Sequence, residues 1–309
     1  MTSHIGTTVW KSGKNSIINC KNCGFYHVNP IPTLEHLEKM YTHKFYQEMK
    51  PAYIKKDESE KNYWNITFDD KLEIIERTIK KKNKTILDIG CGPGFFLQRA
   101  KEKGWNVLGI EPSSVAAKYA KNSGIPIIES TFESFLLTNK EKFDAIHSKF
   151  FLEHMREPKK VCKDCYDLLN PNGIVCFEVP NDFNILQKIV TDKLNKEQYW
   201  IAPQVHINYF SMKSLQNLLK KTGFIPFYAE STFPLEFFLL FGLDYINNDK
   251  IGKKIHSMRM KFDSLLHSSS NNQLKRDLYS HFAKIGIGRE IIVYAKKNNL
   301  INIYQTMAL

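Results

Sequence analysis

Long apolar runs are missing from this sequence. No stretch reaches the roughly 18 to 20 consecutive apolar residues that a membrane span needs. The longest apolar cluster, Phe233 to Leu243, is broken by Pro234, Glu236 and Gly242. The first residues, Met1-Thr2-Ser3-His4-Ile5-Gly6, carry no apolar core of a signal peptide. Cysteine is scarce: six in 309 residues are too few for the framework of a secreted disulfide protein. These absences place the protein in the cytoplasm. Internal repeats are also lacking, and only Ser268-Ser269-Ser270-Asn271-Asn272 has the composition of a flexible linker. Nor is there a run of interleaved basic and aromatic residues such as single-strand nucleic-acid binders use, so nucleic acid is not an expected partner.

What is present is apolar content enough for a sizeable core, 42% of residues, and a formal net charge of +12. Such a field suits an anionic partner, for example a phosphate or a nucleotide-sugar. The lysines are spread along the chain rather than massed, which is also the pattern of a solvated surface.

From Thr85 to about Pro180 short β-rich runs alternate with helical ones. The expected strands are Thr85–Ile89, Asn106–Ile110, Ile125–Ile128, Phe143–His147 and Gly173–Val179, with helices near 94–103, 113–122 and 157–169. Continuous apolar strands between helices mean a parallel sheet covered on both faces. A helix at Ser211–Thr222 leads to strands at Phe224–Ala229 and Glu290–Ala295, with three helical stretches between them near 234–244, 249–266 and 272–284. Phe68 to Ile79 has helical periodicity. Residues 1–60 read as an irregular extension, with a helix starting near Thr33. The expected division is an extension at 1–60, a core at 61–230 and 286–300, and a helical insertion at 231–285 that caps the acceptor.

The run Ile86-Leu87-Asp88-Ile89-Gly90-Cys91-Gly92-Pro93-Gly94 places glycines where a strand ends and a helix begins. There the backbone must turn sharply and let a ligand approach without meeting a Cβ. A dinucleotide fingerprint would need glycine three positions after Gly92, where Phe95 stands. Glu111 ends the next strand, 17 residues after Gly94, where a carboxylate can accept both hydroxyls of a ribose.

Ile86 to Phe96 resembles the first motif of class I S-adenosylmethionine-dependent methyltransferases, and Val107 to Ser113 resembles their second. Phe143 to His147 with Leu152-Glu153-His154-Met155-Arg156-Glu157-Pro158 is similar to their fourth strand and its loop. Leu168 to Gly173 is similar to the turn into the fifth. The resemblance covers roughly 65 to 300. It implies an α/β, Rossmann-like sheet of seven strands in the order 3-2-1-4-5-7-6, the last antiparallel, with an N-terminal extension and a helical insertion before the last strand. It implies S-adenosylmethionine as cofactor, with Asp88 near the ligand's amino group and Glu111 on its ribose. Gly90, Cys91, Gly92, Gly94, Pro112 and Lys149 complete that set, and Thr131 and Phe132 are adenine contacts by resemblance alone. The residue-level alternative for Thr131 and Phe132 is a surface loop with Phe132 in the core.

Cys20-x-x-Cys23-Gly24 has the spacing of half a zinc ribbon. The stretch around it resembles methyltransferases of surface-glycan and sugar-modification pathways, many of which have a second cysteine pair. None follows here, so a structural zinc would need two further ligands, for which His27, His4 and His43 are candidates. Two reduced, partly buried cysteines are the alternative. Cys162-x-x-Cys165 falls in a helical stretch and reads as two core-facing residues. Glu153-His154 is similar to part of the Glu-x-x-Glu-His motif that can hold a divalent metal in quinone O-methyltransferases, but Phe150 stands where the first acid would be.

Methyl transfer to an alcohol needs an in-line arrangement and removal of the alcohol proton. His206, in Pro203 to Ser211, and His154, at the mouth of the fourth strand, are the candidate bases, with Tyr209 as a hydrogen-bond partner. Aromatic residues at Tyr63-Trp64, Tyr199-Trp200, Phe233, Phe237 and Phe238 could bind the acceptor or merely pack the insertion. The leading expectation is methylation of a sugar or glycan-precursor hydroxyl, with an anionic small molecule such as a nucleotide-sugar or phosphorylated sugar as partner. A quinone or lipid acceptor, an RNA and a catalytically silent binding role follow in that order.

Overall fold

The structure, a computed structural model, describes residues 4–33, 35, 37, 53–268 and 272–298. His43 and most of the helix expected from Thr33 lie outside the described residues. Among the described residues, no helix is long and apolar enough to cross a membrane.

The core is a seven-stranded sheet. Its strands are β4 (Thr85–Ile89), β5 (Asn106–Ile110), β6 (Ile127–Ile128), β7 (Phe143–Lys149), β8 (Leu169–Pro180), β10 (Phe224–Ser231) and β11 (Glu290–Lys297). They lie in the order β10-β11-β8-β7-β4-β5-β6, with β11 antiparallel to both neighbours. This is the expected order, 3-2-1-4-5-7-6 read from the other edge.

Strand pleating decides what faces what, because successive side chains point to opposite faces. Leu87, Ile89, Ile146, Val175, Phe177 and Val293 pack on one face with Phe135, Cys162, Cys165, Leu215 and Leu219. These come from helices α5 (Phe132–Thr138), α6 (Pro158–Leu168) and α8 (Met212–Lys221). Cys162 and Cys165 are fully buried there, as apolar residues rather than ligands. Ile86, Ala145, Ile174, Cys176, Ile292 and Tyr294 pack on the other face with Leu72, Ile75, Phe96, Leu97 and Ala120. Those belong to α2 (Lys61–Thr78), α3 (Phe95–Glu102) and α4 (Ser114–Asn122), which follow α1 (Tyr53–Ser59). The same alternation sends Asp88, His147, Lys149, Glu178 and Glu290 toward the α2 face, which is where the polar chemistry accumulates.

After β8 comes α7 (Ile185–Leu194), which opens on a capping box at Asn184 and Gln187. Three helices separate β10 from β11: α9 (Glu236–Leu240), α10 (Asp249–Ser268) and α11 (Asn272–Lys284).

The N-terminal residues are not irregular. Strands β1 (Gly6–Ser12), β2 (Asn15–Cys20) and β3 (Tyr26–Asn29) form an antiparallel ribbon. A fourth strand, β9 (Asn208–Tyr209), joins it from the far side of the core. The β1–β2 turn puts Gly13 at φ 56, a conformation glycine adopts without Cβ strain. The ribbon buries only a small apolar cluster, Ile17, Val28 and Tyr209, so its pattern of apolar residues is too sparse to read as strands.

Candidate active site

The cofactor side is built by main chain. Gly90, Gly92 and Gly94 have φ of 69, 54 and 78, a region in which a Cβ would be strained. The Gly90 and Cys91 amides donate to the Ile110 carbonyl at 2.9 and 3.1 Å, locking the turn to β5. Glu111 is held where β5 ends. The Gly92 amide donates to its Oε2 at 2.8 Å and the Ser113 amide to its Oε1 at 2.9 Å. Burial pushes its carboxyl up to about 7 against the pull of those two amides. Asp88 is 3% exposed and turned away from solvent; His147 donates to it through Nδ1 at 2.7 Å. His147 in turn stacks on Phe96 with ring centroids 3.8 Å apart.

A cavity of about 810 Å³ lies beyond the carboxyl ends of β4, β5 and β7. Gly90, Glu111, Pro112, Thr131 and Phe132 line it on one side; His154 and His206 line it on the other. Thr131 also caps α5, accepting from the Ser134 amide at 3.2 Å. Phe132 is 3% exposed and packs in the core while also lining this cavity. Asp88, Cys91, Gly92 and Gly94 stand behind the wall rather than on it.

The acceptor side is built by side chains from distant segments. His154 ends a 3₁₀ turn, Leu152–His154, just after β7. Its Nδ1–H donates to the Val205 carbonyl at 2.9 Å, which fixes the tautomer with the lone pair on Nε2. The His206 ring meets it edge-on, centroids 5.2 Å apart. Beside them Glu153 is fully buried, and burial holds its carboxyl well above the usual range. Neither of its oxygens has a hydrogen-bond partner among the described residues. Glu153, His154 and His206 offer ligand atoms within 4.8 Å of one another. Phe150, in the place of the missing acid, sits at φ 53 and walls this cavity, a strained conformation for a bulky residue.

Tyr209 does not join the site. It is fully buried under the ribbon, and its hydroxyl accepts from the Ala202 amide at 3.2 Å rather than serving His206. The reason is its place in β9, opposite Tyr26, which turns its ring into the ribbon's apolar cluster. The rings of Phe233, Phe237 and Phe238 pack on one another and on Phe262 and Phe282 within the insertion.

A second cavity, about 590 Å³, shares Phe150 and Glu290 with the first. Tyr63, Trp64 and Lys149 line it. Lys149 lies 4.6 Å over the Trp64 ring and 3.1 Å from Glu178 Oε1. Lys71 holds the other Glu178 oxygen. Burial would raise the Glu178 carboxyl, but Lys149 and Lys71 together hold it down at about 2. Sequence reasoning missed this pair. Its signal was a glutamate inside the apolar run Ile174 to Val179 and a lysine on the buried face of α2.

Around the ribbon, His4 Nδ1, Cys20 Sγ, Cys23 Sγ and a His27 ring nitrogen all lie within 4.8 Å of one another. His4 Nδ1 is 3.0 Å from His27 Nε2, 3.5 Å from Cys23 Sγ and 3.8 Å from Cys20 Sγ. A tetrahedral zinc with bonds of about 2.0–2.3 Å separates its donors by roughly 3.3–3.8 Å; the donor types and the two sulfur–nitrogen distances suit that ion, while His4 and His27 stand closer, at hydrogen-bonding distance. His27 donates through Nδ1 to the Val28 carbonyl at 2.8 Å, leaving Nε2 for the metal. His4 and His27, two of the candidate ligands, thus lie with the cysteine pair, and the third, His43, is outside the described residues.

A family profile described as a methyltransferase domain matches residues 63–225. The chain belongs to this methyltransferase-domain family. The ubiquinone biosynthesis O-methyltransferase of Actinobacillus pleuropneumoniae serotype 7 is 37% identical over 108 residues, 32% of this chain and 46% of that protein. Its counterpart in Vibrio atlanticus is 28% identical over 200 residues, 56% of this chain and 84% of that one. The chain spans about half the length of most of the relatives it matches. The plantazolicin methyltransferase BamL, solved with a triazolic desmethylPZN analog and SAH, superposes with a TM-score of 0.53. It covers 86% of this chain and 97% of its own at 18% identity, which is a likeness of fold.

Proposed function

We propose that this methyltransferase-family chain transfers a methyl group from S-adenosylmethionine to a hydroxyl oxygen of a small-molecule acceptor. The observation that carries the reading is one cavity walled by the glycine turn and Glu111 on one side and by His154 and His206 on the other. When bound, the cofactor supplies a methyl on a sulfonium and departs as a neutral thioether, so no acid is needed. Glu111 would accept the ribose hydroxyls, Thr131 and Phe132 would contact the adenine, and the turn through Cys91, Gly92 and Gly94 would admit the ligand close to main chain. Asp88 would act from behind that wall, and Lys149 would supply a cation where β7 ends. His154 would take the proton of the acceptor hydroxyl on Nε2. His206 packs against it and orients it. The insertion at 231–285 walls the neighbouring cavity, through Thr232, His256 and Arg259, rather than this one.

The name of the relatives favours a ring hydroxyl of a quinone precursor over the sugar hydroxyl that sequence reasoning placed first. Calorimetry with S-adenosylmethionine tests the cofactor reading, and a folded sample that binds none overturns it in favour of a silent binding protein. Labelled methyl donor with fractionated extract tests the acceptor. Label in quinone precursors supports this reading, label in nucleotide-sugars restores the sugar reading, and label in RNA removes both.

A second reading has its own observation, the convergence of Glu153, His154 and His206. A divalent cation there would orient the acceptor hydroxyl and lower its pKa. Turnover that falls on chelation and returns with magnesium or manganese would favour it over the base reading.

A further inference from the structure

The ribbon and the acceptor wall are joined by a short, continuous path. The metal-ligand candidate His27 pairs with Asn208, and Tyr26 with Tyr209, in the β3–β9 ladder. The Val28 amide donates to the Ile207 carbonyl at 2.8 Å, and the Ile207 amide donates to the Glu153 carbonyl at 2.8 Å. Asn208 donates through Nδ2 to the carbonyls of Leu152 at 3.0 Å and Met155 at 2.6 Å, clamping the 3₁₀ turn that carries His154. The Val205 carbonyl that fixes the His154 tautomer lies one residue before His206.

The far end of this segment is tied to the core, where Phe210 packs and its carbonyl accepts from the Asp182 amide at 2.9 Å, whereas residues 207–209 lean on β3 and on the 152–155 turn. A two-residue strand has too few hydrogen bonds to persist without its neighbours. The ribbon is itself small, with Ile17, Val28 and Tyr209 as its buried apolar cluster. Pieces of this size generally need a disulfide, a metal or a partner to stay folded. Its cysteines form no disulfide. Two thiols and two imidazoles whose donor atoms lie within 4.8 Å of one another are the donor chemistry of a structural zinc ion.

We propose that a zinc ion held by His4, Cys20, Cys23 and His27 positions the acceptor-side histidines through the ladder of β3 on β9. The four ligands touch neither reactant; they act by ordering residues 205–211, which in turn hold the 152–155 turn. The role of that segment rests on the methyltransferase reading above, whereas the zinc site and its mechanical link to the segment do not.

The test uses the full chain. Metal analysis after dialysis should find about one zinc per chain, and cobalt exchanged into the site should give a thiolate-to-metal charge-transfer band. Stripping the metal should speed hydrogen exchange at 205–211 and 152–155 by roughly tenfold or more, with 85–94 and 106–111 unchanged. Affinity for S-adenosylmethionine should stay the same, and added zinc should restore protection. Cys23→His, which keeps a ligand, should retain metal and protection; Cys23→Ser should lose both. Absence of bound metal overturns the proposal. So does unchanged exchange at 205–211 after stripping, or an equal rise in both regions, which would make the ribbon a support of the whole fold. Failure of the zinc-loaded chain to bind S-adenosylmethionine would instead count against the methyltransferase reading and leave the exchange result standing.

Discussion

The two cavities that meet at Phe150 and Glu290 are made by opposite means. On the cofactor side of the larger one, backbone sets the wall: Gly90, fixed by a turn with three positive-φ glycines, and Glu111, a carboxylate gripped by two amides. The smaller one is walled by charged side chains from segments far apart in the chain. Lys71 meets Glu178 across 107 residues, and Lys275 donates to Asp70 at 2.8 Å across 205. A wall of backbone is specified locally and tolerates little change of residue type. A wall of ion pairs depends on the fold to bring the partners together, and it can be altered one side chain at a time.

The largest effect should come where the two kinds of wall face each other. His154→Ala should lower turnover by about 10²–10⁴-fold, the usual contribution of a general base, and leave affinity for S-adenosylmethionine unchanged. Steady-state kinetics beside calorimetry checks this. An equal loss in both would mean that His154 supports the cofactor wall instead.

Next in size is Lys71→Met. It leaves Glu178 buried with Lys149 alone and should cost about 3 kcal/mol of stability, as breaking a buried pair does. Denaturant unfolding measures it; a loss under 1 kcal/mol would show that Lys149 alone satisfies Glu178.

A smaller, pH-dependent effect separates two glutamates on the wall of the same cavity. Burial, with Asp70 nearby, raises the Glu230 carboxyl to about 7, while the lysines hold Glu178 at about 2. Glu230 therefore contributes most when protonated, below its ordinary value, and that contribution is lost as the pH rises through 7. The Glu178 contribution is present above its ordinary value and is lost as the pH falls toward 2. Glu230→Gln should match the parent near pH 5 and exceed its stability by roughly 2 kcal/mol at pH 8. Glu178→Gln should be less stable than the parent at pH 8, with the gap closing in acid. Melting curves across pH would break the contrast if both variants moved the same way.

The smallest effect is expected at Tyr209→Phe. It removes an acceptor from the Ala202 amide and should cost about 1 kcal/mol without changing the pH–rate profile. A lost limb in that profile would return Tyr209 to the catalytic set.

Legibility in the sequence follows the same division. The strands from Thr85 to Ile110 carry their own signals, an apolar run, a glycine turn and a terminal acid, so their bounds were readable, while the sheet order came from the resemblance to the methyltransferase family. The ribbon was not, because short strands that bury little apolar surface leave no periodic pattern, and β9 is only two residues long. Tyr209 misled for a related reason. Its ring lies edge-on 6.4 Å from His206, but pairing with Tyr26 sets it in the ribbon's apolar cluster with its hydroxyl on the Ala202 amide. The cysteine pair was legible as half a possible site with His27, His4 and His43 as candidate partners, and which of these lie beside it depended on how the ribbon folds back.

The sequence by itself determined the cofactor turn and the acid that follows it. Backbone geometry at Gly90, Gly92 and Gly94 admits few other residues, and the distance to Glu111 is set by one helix and one strand. Only the tertiary structure decided that His154 and His206 share a wall, that the Glu178 carboxyl is held low while that of Glu230 is raised, and that four donors converge on the ribbon. Those depend on contacts between residues remote in sequence, for which the chain carries no local mark.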